Sequence, residues 1–420
     1  MRIKIYPWLI FFLSACFLFY KYVLQVSPSV MAPELMQTFS LSGTLLGVLA
    51  GSYFCTYLIM QIPSGILLDR FGPRKISTMA ILFCALGILI FSQTHSFYIA
   101  CFARMMIGFG AAFGTTSYMK LASRWFPASY FPILSGFFGT ACMLGAGSAG
   151  GPLALLVGHL GWRGALLICA IAGLILTGLF FLIIRDKPNN FYLKNNQNFS
   201  NITENFDWRA LFKIFKNKSN WALIAYGGLA FTPASVFGGL WGVPYLMASE
   251  NLSRVTAASM TSLTFFGFAA GGLLIGLIAK WIPKLVLIMA MGTFLALIFL
   301  ALILYCPDLP KLLLSVFIFL FGFCSSSFLL SYSVARNINS LAIIGTVIGV
   351  INMGDPLCGS FAEPMIGKIL DLNWSGELIN NTRVFSIHAY HLGLSVLLGY
   401  ALLAVICCLF IKDKEQDKKY

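Results

Sequence analysis

The chain has 420 residues, of which 59% are hydrophobic and only 10% charged, with a mean hydropathy of +0.86. Soluble domains carry about 25% charged residues, so this composition excludes a soluble globular fold and makes lipid the solvent for much of the chain. The net charge of +14 would point to nucleic acid in a soluble protein, but in a membrane protein it is first read against sidedness.

A spanning helix needs about 20 mostly apolar residues. The first apolar run, from Pro7 to Met31, is too long for a signal peptide, and no small-residue cleavage site follows it. It reads as a retained first span. In chain order the predicted spans are 7–31, 43–67, 76–93, 97–119, 131–156, 164–184, 220–246, 256–279, 285–305, 311–335, 343–368 and 389–411. Twelve is an even number, so both termini face the same side. With the N-terminus in the cytoplasm, 21 of the 28 basic residues fall on cytoplasmic segments. The outer side receives Arg163, Arg254, Lys311 and Arg383, with Lys368 at the boundary. The positive-inside rule therefore accounts for the basic balance without nucleic acid.

The segment after span six is polar and rich in Asn and Lys, and divides the spans six and six. Trp208 to Phe215 within it fits a short amphipathic helix on the membrane surface. The halves also repeat. Gly147-Ser148-Ala149-Gly150-Gly151-Pro152 in span five matches Gly359-Ser360-Phe361-Ala362-Glu363-Pro364 in span eleven at an offset of 212, and Gly65 matches Gly276 at 211. The expected architecture is an all-α membrane protein of two six-helix bundles, 1–188 and 220–420, joined by a cytoplasmic linker at 189–219.

Charges inside the spans are costly and mark function. Lys21 sits mid-span in Phe19-Tyr20-Lys21-Tyr22, with Gln25 one turn on. Arg104 lies inside span four, where a cavity-facing role competes with snorkelling. Asp355 and Glu363 are the carboxylates of span eleven. Eight residues apart, they lie about 80° apart on a helix and about 12 Å along it, which allows both to face one cavity. Each is followed by proline, which frees a carbonyl and permits a kink. Trp241, in Leu240-Trp241-Gly242-Val243-Pro244-Tyr245, lines the cavity or belongs to the outer aromatic belt. The eleven cysteines are scattered as small apolar residues, and the four histidines are too dispersed for a metal site. No catalytic constellation and no Walker loop appear, so the chain is not expected to be an enzyme, to use ATP or to hold a cofactor.

Residues 65–75 read Gly65-Ile66-Leu67-Leu68-Asp69-Arg70-Phe71-Gly72-Pro73-Arg74-Lys75 on a cytoplasmic loop between spans two and three. Gly65 permits close packing, and Gly72-Pro73 makes a tight turn. This G-x-x-x-D-R-x-G-x-R-K pattern resembles the signature loop of the major facilitator superfamily. The resemblance implies alternating access by two halves around a midplane site, with Gly65, Asp69, Arg70, Gly72, Arg74 and Lys75 as gate residues. In the family the corresponding Asp caps the N-terminus of span eleven and locks the outward-facing state. The second-half counterpart has Lys280 where Asp69 has its carboxylate. Gly147, Gly151 and Pro152 resemble the core of an antiporter motif whose downstream glycines are missing, and equally fit plain helix packing. Val26-Ser27-Pro28-Ser29-Val30-Met31 and 240–244 resemble a bacterial branch related to the lysosomal dipeptide carriers.

Lys21, Tyr22, Gln25, Arg104, Trp241, Asp355 and Glu363 are the expected substrate and proton contacts. Both charge signs suit a zwitterion such as an amino acid or short peptide, or an organic anion moved with protons. An efflux carrier for a siderophore or drug, and a non-transporting receptor, are the competing readings. The expected setting is a monomer in a bacterial inner membrane, with lipid and a small solute as its partners.

Overall fold

The computed structural model describes residues 5–126, 130–186, 218–278, 284–306, 308–339, 344–379 and 382–411. The linker at 189–219, the surface helix expected at 208–215 and Lys280 lie in whole or large part outside these residues.

Among the described residues, ten helical segments are long and apolar enough to cross a membrane. One of them, Phe137–Ile183, runs 47 residues. At 1.5 Å per residue that is about twice a bilayer core. It breaks at Gly161, whose φ of +68° only glycine adopts without strain, so spans five and six meet at one tight corner. The segment expected to be span eleven is helical over Ile344–Asn352 and Gly354–Leu372, and is more charged than the ten. Among the described residues, the twelve expected spans fall mostly on helix.

Several helices are interrupted. Span one (Ile5–Val26) ends in a 3₁₀ turn, Ser27–Met31, because Pro28 cannot continue the hydrogen-bond ladder. Span seven runs Lys218–Val236, widens into a π-helical turn at Phe237–Trp241, and continues as Gly242–Ser249. Span ten has a 3₁₀ break at Ser326–Leu329.

The packing repeats with the sequence. Spans one and five pack as seven and eleven do, two and four as eight and ten, and three and six as nine and twelve. The halves meet along two seams, spans two with eleven and five with eight. Span seven is central and mostly buried, whereas Met291, Phe294 and Leu295 of span nine are exposed.

The two ends of the molecule differ. At the end that carries Asp371 the halves are tied together: Glu34 pairs with Arg254, and the Asp371 carboxylate accepts the backbone N–H groups of Gly43 (2.8 Å) and Thr44 (2.7 Å). At the opposite end Asp69 pairs with Lys120 and Asn220 with Asn339, each pair within one half. The ties named at the Asp371 end cross between the halves, and those named at the Asp69 end do not.

Candidate functional site

Lys21 is fully buried on span one. Its ammonium donates to the hydroxyls of Tyr57 and Thr115, both at 3.2 Å, and lies 4.8 and 5.1 Å from the ring centres of Tyr22 and Tyr57. Its stem runs past Gly114, where a Cβ would come within 3.0 Å of the Lys21 Cδ. No carboxylate lies within ion-pair distance among the described residues. Tyr53 stacks on Tyr57 at 5.6 Å and donates to Gln25 Oε1 at 3.3 Å. Spans one, two and four thus build a positively charged, aromatic wall in which Tyr22, Gln25, Tyr57 and Thr115 remain half-exposed.

The second half supplies the facing wall. Asp355, half-buried on span eleven, accepts a hydrogen bond from Thr232 of span seven at 3.3 Å. Tyr332 of span ten donates to Asn352. Asp355 is within electrostatic range of Tyr22 and Tyr53, and Tyr332 of Tyr57, so the two walls face one another. Phe231 and Phe328 stack at 5.4 Å in the second half. One buried cation, one carboxylate and a set of hydroxyls and rings can hold a small charged, hydroxyl-bearing solute.

Other expected contacts lie elsewhere. Arg104 is buried, and its described hydrogen bonds all go to backbone carbonyls: Leu24 (2.7 Å), Gln25 (3.3 Å) and Ala50 (3.4 Å). Two of these are the carbonyls freed where span one leaves the α-helix. Arg104 therefore staples spans one, two and four instead of snorkelling outward. Glu363 and Asp355 take different partners. Glu363 is buried in the seam between spans two and eleven, with one oxygen unpartnered, and lies within electrostatic range of Arg104. Trp241 sits in the core at the π-helical turn, away from any outer belt.

At the signature loop, Gly72 has φ +83° and starts the turn into span three, Pro73–Gln93. Asp69 is 75% exposed and pairs with Lys120 of its own half instead of reaching span eleven. Arg74 donates its backbone N–H to the Asp186 carboxylate (2.8 Å) and its guanidinium to the Phe181 carbonyl. Arg70 lies over Phe71, and Lys75 is exposed. A Cβ at Gly65 would meet nothing within 4 Å, so Gly65 makes no close helix contact in this conformation. Gly147 and Gly151 line the seam with span eight, against Phe266 and Ser259, and Pro152 follows in the first turn of the next helix.

Sequence reasoning missed the close seam between spans two and eleven. Gly43, Gly47 and Gly51, spaced by four along span two, lie on Gly367, Glu363–Pro364 and Ser360 of span eleven. The small-residue stripe was the available signal. Asp371 and Asp186 were also passed over, because each stands at a helix end among ordinary loop charges.

These features define a class: a polytopic membrane protein of two repeated helical halves, with charged and polar side chains from both gathered between them. The chain matches the Major Facilitator Superfamily over residues 8–363 and belongs to that family. It is a secondary transporter, not an enzyme. It is 26% identical over 293 residues to the probable L-galactonate transporter of Escherichia coli K12, covering 67% of this chain and 63% of that relative. It is 23% identical over 419 residues to the probable galactarate/D-glucarate transporter GarP of the same organism, covering 93% and 91%. Among solved structures, a bacterial homolog of the human lysosomal transporter Spinster, inward-facing and occupied, superposes with a TM-score of 0.77 at 16% identity, over 98% of this chain and 97% of that one. The D-xylose-proton symporter superposes at 0.71 and 16%, over 99% of each.

Proposed function

We propose that this protein carries a small organic anion across the cell membrane by alternating access, with Lys21 as the anchor for the substrate carboxylate. The observation that carries this reading is the buried Lys21 ammonium, which meets two neutral hydroxyls and, among the described residues, no carboxylate. A buried charge is costly until it is paired, and an anionic solute supplies that pairing. Tyr57 and Thr115 orient that carboxylate, and Asn352 and Thr232 of the facing wall suit hydroxyl groups. Relatives named for galactonate and for galactarate or glucarate support the organic-anion reading over the peptide one. Asp355, facing the same cavity, is the group we assign to proton linkage, since an intramembrane carboxylate at a substrate site is a proton carrier by type. Both termini lie in the cytoplasm, with the halves divided at the linker 189–219, and the protein works as a monomer in a bacterial inner membrane.

The test is calorimetric binding by purified protein in detergent against galactonate, glucarate, a hexuronate, an amino acid and a dipeptide. Lys21→Met keeps the stem and removes the charge. It is expected to weaken anion binding at least about a hundredfold, the loss of one buried charge-assisted contact, with thermal stability kept. Unchanged anion affinity in Lys21→Met would remove Lys21 from the site, and preferential dipeptide binding would replace the substrate class.

A further inference from the structure

We propose that Asp371 is the extracellular latch of this carrier, and that it works in alternation with Asp69 through the single antiparallel helix pair formed by spans two and eleven. The Asp371 carboxylate, in the last turn of span eleven, takes the first two backbone N–H groups of span two, from Gly43 and Thr44. It also accepts the Thr44 hydroxyl (2.6 Å) and the Arg383 guanidinium (3.0 Å). Arg383 belongs to the short hairpin of Leu378–Ile379 and Thr382–Arg383, and is held over the Trp374 ring at 4.4 Å. A helix N-terminus carries unsatisfied donors and partial positive charge, so one carboxylate from the second half closes the start of a helix in the first. The contact is sealed below by glycine. A Cβ at Gly43 would lie 2.8 Å from the Gly367 carbonyl oxygen, and one at Gly47 would lie 2.7 Å from the Pro364 Cα.

The register of this pair points to its other end. Residue 43 stands level with 367 and 371, 47 with 363 and 364, and 51 with 360, so paired numbers add to 410–414 throughout. Continued along the helices, the same register brings the Asp69 end of span two to the level of Ile344, the first described residue of span eleven. Each helix therefore carries a carboxylate near its end, Asp371 bound to the start of span two and Asp69 bound to Lys120. Gly65 and Gly349 add to 414 as well, and a Cβ at either meets nothing within 4 Å. They are a glycine pair at one level with open space beside them, as Gly43 and Gly367 would be if the outer end parted. In this conformation the Asp371 end is made, while Asp69 is exposed and held by Lys120 of its own half. The pair behaves as a seesaw with a carboxylate clamp at each end.

The test needs no substrate, so it stands apart from the organic-anion reading. Hydrogen–deuterium exchange is followed on the full chain in lipid nanodiscs. Asp371→Ala is expected to speed exchange at 43–51 and 366–372 about tenfold or more, the loss of several charge-assisted hydrogen bonds. It is also expected to slow exchange at 65–72, because the inner end gains what the outer end loses. Asp69→Asn should do the reverse, and the double variant should return towards the wild-type pattern. Thr44→Val, which removes one hydroxyl, gives the smaller shift in the same direction if Asp371→Ala fails to fold. Faster exchange confined to Gly43 and Thr44, with 65–72 unmoved in every variant, would make Asp371 a local helix cap and overturn the proposal.

Discussion

Replacing Gly47 by alanine adds one methyl group where span two lies directly on the backbone of span eleven. A Cβ there would lie 2.6 Å from the Glu363 carbonyl carbon and 2.7 Å from the Pro364 Cα. Ordinary carbon contacts settle near 3.5–4.0 Å, so the helices must part by about 1 Å, and both obstructing atoms are backbone. Overpacking of this kind costs about 1–3 kcal/mol, whereas alanine in a free helix would gain roughly 1 kcal/mol over glycine. The closed outer state should therefore lose weight by roughly fivefold to more than a hundredfold against the open one. In proteoliposomes, uptake should fall about tenfold or more, while a solute added from outside still binds. Gly178→Ala is the control, since Gly178 lies on the exposed face of span six with nothing within 4 Å of its Cβ position. Wild-type uptake by Gly47→Ala would mean that the seam between spans two and eleven does not have to close this tightly for turnover.

Arg104→Met removes the donors that satisfy the Leu24, Gln25 and Ala50 carbonyls. Each orphaned buried group costs about 1–3 kcal/mol, so the melting temperature should drop while affinity in the remaining folded protein is kept; the opposite pattern would place Arg104 in the binding site. Asp69→Asn should slow cycling with little change in substrate affinity, measured as initial uptake rate against equilibrium binding. A normal rate would deprive the signature loop of its gating role.

Much of the fold was legible in the sequence because apolar length is a direct consequence of the bilayer. The signature loop was legible from its glycines and its carboxylate. Lys21 was legible as well, since a mid-span lysine has nowhere to snorkel. Helix orientation was not. The rotation that puts Arg104 on the freed carbonyls of span one is set by the break at Ser27–Pro28 and by packing against Ala50, neither of which shows in span four alone. Asp355 and Glu363 are near enough on a wheel to suggest one cavity, yet helix packing sends one towards Thr232 of span seven and the other into the seam at Gly51. The partner of Asp69 depends on which face of the carrier is closed, which is a property of a conformation and not of the chain.

The wide turn in span seven bears on how this chain should be compared with its relatives. Gly242 donates its backbone N–H to Phe237, five residues back, which is the mark of one extra residue lodged inside a helix. An alignment drawn without a gap across Phe237–Trp241 sets Gly242–Ser249 one step out of place against any relative that lacks the insertion. One step is about 100° of rotation on a helix. It is enough to move Tyr245 away from the Ile303 carbonyl it bonds at 3.0 Å, and to assign its neighbours to the wrong wall. Ancestry in this region is better traced by superposing backbones than by matching letters.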